Sequence, residues 1–247
     1  MSFIKNNFSD GDVLTADSLN KIENEISQYG NIICENIRQL TKLIKFPYFT
    51  INGNVAVIGD STISGYPSYP RLSTYFSIKS GCTLSDISTP GDTLKGQLNK
   101  WNALKSDVKS NIDYIFCQIG LNDIDETKET LRTHYKNLLS QMRQDAPNAK
   151  IILGTMLPCK DRWNVLYPGD SNATKRKEFQ ERWVSANYDI KNGYYDCDAV
   201  AFIHTEALGI DNVLRKEYDH GDAIHEKPEG AKIIVYSWLS AAFANLQ

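Results

Sequence analysis

The sequence predicts an α/β protein: a three-layer α/β/α sandwich around a parallel sheet, preceded by an N-terminal helical segment of a different kind. Two observations carry this. After Pro47, short apolar runs alternate with helical patterns, which is how a chain reads when helices cover both faces of a parallel sheet. Polar residues of chemical interest also stand directly behind several of those runs, at the carboxyl edge where such sheets bind ligands.

The elements follow in order. Within residues 1–50, Thr15 suits an N-cap ahead of an apolar seam at Leu19, Ile22, Ile26, Tyr29, Ile33, Asn36, Leu40 and Leu43. The alternating steps of three and four are heptad spacing, with Asn36 the polar exception. Gly30 weakens the helix by about 1 kcal/mol relative to alanine, and Pro47 ends it. The seam fits either a helix packed on the main domain or a short self-associating coiled coil, and a homo-oligomer, with a trimer favoured, is expected. Two domains follow: a helical oligomerisation or attachment segment, 1–50, and a main domain, 51–247.

In the main domain, strands are expected over 54–58, 82–88, 113–119, 149–156 and 195–202. Helices are expected over 69–79, 92–106, 126–145, 173–190 and 229–246. Val55-Ala-Val-Ile58 is short and β-branched, as a buried strand should be, and Gly59 permits a sharp exit. The strongest helical period is in 126–145, where Leu131, Tyr135, Leu138, Leu139 and Met142 share one face.

Bulk composition excludes several classes. Net charge is −3 with cations spread along the chain, so no nucleic-acid surface is indicated. No apolar stretch approaches a membrane span, and the first residues lack the apolar core of a signal peptide, so synthesis and folding in a cytoplasm are expected. The five cysteines are widely and irregularly spaced without a Cys-x-x-Cys pair, which predicts reduced thiols.

Three segments carry chemistry. Gly59-Asp60-Ser61 leaves a serine hydroxyl at a strand end. Gly120-Leu-Asn122-Asp123 follows another strand, and Asp222-Ala-Ile-His225 lies near the carboxyl terminus. A serine hydroxyl needs a base within hydrogen-bond reach, which His225 can supply, and Asp222 can fix the imidazole tautomer. An oxyanion would need donors placed in advance, which the amide of Ser61 and the side chain of Asn122 could supply. Asp60 and Asp123 are expected to hold loops. The elbow Gly-x-Ser-x-Gly is absent, since Ile63 takes its last position. Asp219, His220, Asp222 and His225 could also be read as metal ligands. No metal or cofactor is expected, His220 reads as a loop residue and His134 as a solvated helix residue. The stretch 158–172 is expected to overhang the site as a loop. There Trp163 and Tyr167, with Tyr66 and Tyr69 behind Ser61, could offer flat faces to sugar rings.

Gly59-Asp60-Ser61, Gly91, Gly120-x-Asn122-Asp123 and Asp222-x-x-His225, in this order, resemble the motif blocks of the SGNH (GDSL-type) hydrolase family. The resemblance covers roughly residues 52–247 and is weakest at Gly91. It implies a flavodoxin-like fold, a catalytic Ser61–His225–Asp222 set, and an oxyanion hole of Ser61, Gly91 and Asn122. Asp10 to Glu23 is similar to the opening of bacteriophage tail-fibre and baseplate-associated proteins. That likeness implies a virion tail location, other tail proteins as partners, and a bacterial surface glycan as target. Together they imply a serine esterase removing small acyl groups, acetyl above all, from carbohydrate. The alternatives are a lipid or thioester hydrolase, or a receptor-binding virion protein of weak activity.

Overall fold

The structure, a computed structural model, describes residues 50–66, 71–202, 208–210 and 212–243. All lie in the unit Phe46–Gln247. The heptad seam, the phage-like segment and Tyr69 are outside the described residues.

The chain opens with β1 (Thr50–Ile51) and β2 (Val55–Gly59), then a one-turn helix α1 (Ser61–Ser64). After a 3-10 turn at Leu72–Tyr75 come β3 (Ser77–Ile78) and β4 (Leu84–Asp86). Helices α2 (Leu94–Ala103) and α3 (Ser106–Ser110) lead to β5 (Tyr114–Gln118), and α4 (Lys128–Asp145) leads to β6 (Lys150–Gly154). Next are α5 (Lys160–Leu166), α6 (Ala173–Lys191), β7 (Ala199–Ala201), the hairpin β8 (Gly209–Ile210) and β9 (Val213–Leu214), and α7 (Pro228–Phe243).

Five strands form one parallel sheet in the order β4-β2-β5-β6-β7. In order of appearance that is 2-1-3-4-5, the flavodoxin-like arrangement. Register is set by apolar partners buried on both sides, such as Val57 beside Phe116 and Ile58 beside Cys117. Phe116 stacks on Trp238 of α7, with ring centroids 5.6 Å apart. Its neighbours Ile115 and Cys117 must point the other way, and they are equally buried. The sheet is therefore covered on both faces. Each fully buried aliphatic side chain contributes roughly 1.5–3 kcal/mol, so this apolar centre holds the strand ends in place.

The five predicted strands form, the first at its expected length but one residue later and the other four shorter than their sequence patterns. The expected helix over 69–79 does not form in its described part, from Arg71 onward, where the only helical element is a 3-10 turn. Thr74 Oγ1 donates to Arg71 O at 2.7 Å and Ser73 Oγ donates to Asp86, so hydroxyls compete with helical bonding there. Phe76 instead packs on Phe116, and β3 pairs with β1 in parallel. The expected helix over 92–106 is divided at Leu104–Lys105, and the stretch 158–172 contains α5 where a loop is expected.

Candidate active site

Gly59 ends β2 under tight packing. A Cβ there would lie 2.5 Å from Ile63 and 2.8 Å from the carbonyl of Gln118, so only glycine lets the chain turn into α1. Asp60 caps that turn, accepting the Thr62 amide at 3.0 Å and its hydroxyl at 2.8 Å. Burial pushes the Asp60 carboxyl up, against the pull of those two bonds. Ser61 is thereby the first residue of α1, at the carboxyl end of β2, which lies between β4 and β5 in the sheet.

The partner arrives from a site 164 residues along the chain: His225 Nε2 lies 2.9 Å from Ser61 Oγ. His225 Nδ1 is 2.5 Å from Asp222 Oδ2. An ionised Asp222 can only accept, so the ring proton sits on Nδ1 and Nε2 accepts from the serine hydroxyl. Partial burial raises the Asp222 pKa, but bonds from the amide and ring of His225 and the amide of Ile224 outweigh it and hold the carboxylate below its ordinary range. The turn is wound tightly. Asp222 Oδ1 accepts the His225 amide at 2.9 Å, and Asp219 Oδ1 accepts the amides of Gly221 at 2.9 Å and Ala223 at 3.0 Å. Two carboxylates of the conceivable metal set are thus engaged in winding the turn. Ala223 sits at φ 63°, a left-handed conformation costing a non-glycine residue about 1–2 kcal/mol.

The loops behind β4 and β5 are tied to each other. Asn122 Nδ2 donates to Asp92 O at 2.9 Å, leaving its second N–H for another acceptor. The Asp123 carboxylate accepts the Leu94 amide at 3.0 Å. Gly91, with φ 73°, directly precedes Asp92. Thr89 N donates to Gly59 O at 3.1 Å, joining this pair of loops to the strand behind Ser61. Asp60 and Asp123 hold loops, as expected of them.

Burial pushes Asp123 up to about 6, the Leu94 amide opposes it, and the charges of Asp60, Glu126 and Asp125 add to the rise. A carboxyl raised above its unfolded value of 3.8 favours the protonated fold. That stability is complete below about pH 3.8 and is lost as pH rises through about 6. Asp123→Asn keeps an acceptor for Leu94 N without the buried charge. It should stabilise the protein by about 2 kcal/mol near pH 7.5 and by almost nothing near pH 3.5. Urea denaturation at both pH values checks this; a gain that is equal at the two would remove burial of the charge as its cause.

Tyr66 reaches the site: its ring meets that of His225 edge-on, with centroids 5.7 Å apart, and it is 52 % exposed. Trp163 does not. It is 3 % exposed and packs edge-on against Phe179 of α6 at 5.4 Å, because α5 turns this residue into the core. Tyr167 joins the same cluster. His134 is also a correction: it is buried, with Nδ1 4.0 Å from Asp123 Oδ1 behind the site. The residue missed by the sequence reading is Arg162, whose guanidinium contacts Asp222. Nothing in residue type or spacing announces it, since α5 itself was missed.

A parallel α/β/α sheet with a serine, a histidine and an aspartate joined by hydrogen bonds at its carboxyl edge defines a hydrolase of the nucleophilic-serine class. The chain belongs to the GDSL-like lipase/acylhydrolase family, whose sequence pattern matches residues 57–233. Among solved structures it is similar to a GDSL-like lipase from Bacteroides thetaiotaomicron, at 13% identity over 87% of this chain and 98% of that one, with a TM-score of 0.54. It is also similar to Axe2, an acetylxylan esterase from Geobacillus stearothermophilus, at 14% identity over 76% of this chain and 93% of that one, TM-score 0.51. TesA matches at 16% identity over 76% of this chain and 97% of that one, TM-score 0.51. At these identities the likeness is one of fold. No curated protein sequence matches the chain.

Proposed function

We propose that this acylhydrolase is a serine esterase acting on small acyl groups, acetyl above all, carried by a carbohydrate. The observation that supports the serine esterase chemistry is the unbroken relay Ser61–His225–Asp222 at the strand ends. Ser61 Oγ attacks the ester carbonyl carbon while its proton passes to His225 Nε2. Asp222 stabilises the imidazolium without taking the proton. The amides of Ser61 and Gly91 and the free N–H of Asn122 receive the oxyanion, each donor worth about 3–4 kcal/mol. Collapse breaks the bond to the alcohol oxygen, which leaves with the proton from Nε2, and the acyl group stays on Ser61. Water then attacks the acyl-enzyme, giving its proton to His225, and the acid departs as Ser61 recovers its hydrogen.

His225 delivers a proton to the alcohol, so a group flanking His225 flanks the leaving group. Tyr66 stands there with an exposed ring, a flat face suited to a sugar. An acetylxylan esterase among the fold neighbours is compatible with this substrate class. The choice of a bacterial surface glycan rests on the phage-like segment Asp10–Glu23.

Hydrolysis of p-nitrophenyl esters from acetyl to octanoyl, beside acetylated plant and bacterial polysaccharides, tests the reading. Each methylene outside a fitted acetyl pocket should cost about 1–3 kcal/mol, so kcat/KM should fall steeply with chain length. Rates rising toward octanoyl would assign the protein to lipid or thioester hydrolysis. Turnover of none of these would favour a binding role.

A further inference from the structure

The Asp222–His225 turn is wound by its own hydrogen bonds, but local bonds do not fix where the turn stands relative to β2. Helix α5 supplies a contact that does. Arg162 Nη1 donates to the main-chain carbonyl of Asp222 at 3.2 Å and lies 4.0 Å from Asp222 Oδ2. That carboxylate oxygen is the one bonded to His225 Nδ1. The guanidinium therefore grips the turn by its backbone and leaves Oδ2 to the imidazole. Its own support is rigid. Trp163, the next residue, is buried against Phe179 of α6, and the Lys160 amide donates to Asn212 O at 2.9 Å. The gripped residue also directly precedes Ala223, whose positive φ makes this the part of the turn with most to gain by relaxing.

We propose that Arg162 is a positioning residue: it holds the Asp222–His225 turn from α5 so that His225 Nε2 stays aimed at Ser61 Oγ. The proposal rests on the esterase reading above. Substrate meets Ser61, Tyr66 and the oxyanion donors, and Arg162 touches none of them, so its loss should act on turnover and spare binding.

The test compares the full chain with Arg162→Met and Arg162→Lys, measuring kcat and KM on p-nitrophenyl acetate and the rate at which a fluorophosphonate labels Ser61. Arg162→Met keeps an unbranched stem out to about the position of Nε and removes the guanidinium donors. Its kcat and labelling rate should fall on the order of 10- to 100-fold, with KM within about twofold, as expected for a misaimed base. Arg162→Lys restores a single donor, which is all that Nη1 supplies to Asp222, and should recover most of the loss. The proposal is overturned if Arg162→Met labels and turns over within about twofold of the parent. It is overturned equally if Arg162→Lys, folded by circular dichroism, is as slow as Arg162→Met. A parent that does not label at Ser61 would bring down the esterase reading itself, whereas three proteins labelling at one rate would remove Arg162 alone.

Discussion

Ser61→Ala is expected to lower kcat on acetyl esters by a factor on the order of 10⁵–10⁶ and to abolish fluorophosphonate labelling. The size of the effect follows from what remains. Without Oγ the acyl-enzyme cannot form, so water must attack the bound ester directly, helped only by the oxyanion donors and by binding. His225→Ala should fall by a similar factor, because a hydroxyl with no acceptor 2.9 Å away is a weak nucleophile at neutral pH. The double variant should be hardly worse than either single one, since both remove the same step. Labelling that survives Ser61→Ala would place the nucleophile elsewhere. Losses that add across the pair would mean that serine and histidine do not act together.

Asp222→Asn should reduce kcat by roughly 10⁴-fold while leaving the fold intact. The present carboxylate accepts from His225 Nδ1 at 2.5 Å and so leaves Nε2 unprotonated. An asparagine can turn its amide N–H toward Nδ1 instead. That would put the ring proton on Nε2, and a protonated Nε2 cannot take the proton of Ser61. Asp222→Ala should lose less than Ser61→Ala, because its part is orientation and charge stabilisation. The depressed pKa of Asp222 carries a stability sign as well: what it contributes is present above the unfolded carboxyl pKa and is lost as pH falls through the folded value. Asp222→Asn should therefore differ most from the parent in stability near neutral pH and converge with it in acid, a trend that melting curves at several pH values can follow. A loss of activity under about tenfold would show that the tautomer is held by some other group.

The sheet was largely legible because its signal is local. Val55-Ala-Val-Ile58 and Tyr114-Ile-Phe-Cys117 are apolar over consecutive residues, as strands buried on both faces must be, and their neighbours along the chain carry helical periods. The serine, the asparagine and the Asp222–His225 pair were legible for a related reason. Each belongs to a short motif whose glycine, cap or turn chemistry is contained within a few residues. The segment 69–79 misled because Leu72, Tyr75 and Phe76 have helical spacing, while the Ser73 hydroxyl reaches out to Asp86 and that of Thr74 shares the Arg71 carbonyl with the tighter 3-10 turn.

Residue type and short-range spacing by themselves determined a parallel α/β domain with a serine-based site at the strand ends, because glycine packing, hydrophobic periodicity and turn formation act between near neighbours. Tertiary structure alone decided which way the side chains of α5 face and that His134 joins the buried face of α4. It buried Trp163 against Phe179, drew His134 in beside Asp123, and set Arg162 against Asp222 across 60 residues of chain. Those outcomes depend on the rotation at which a packed helix meets its neighbours, and that rotation is settled by contacts between distant segments, which no local pattern records.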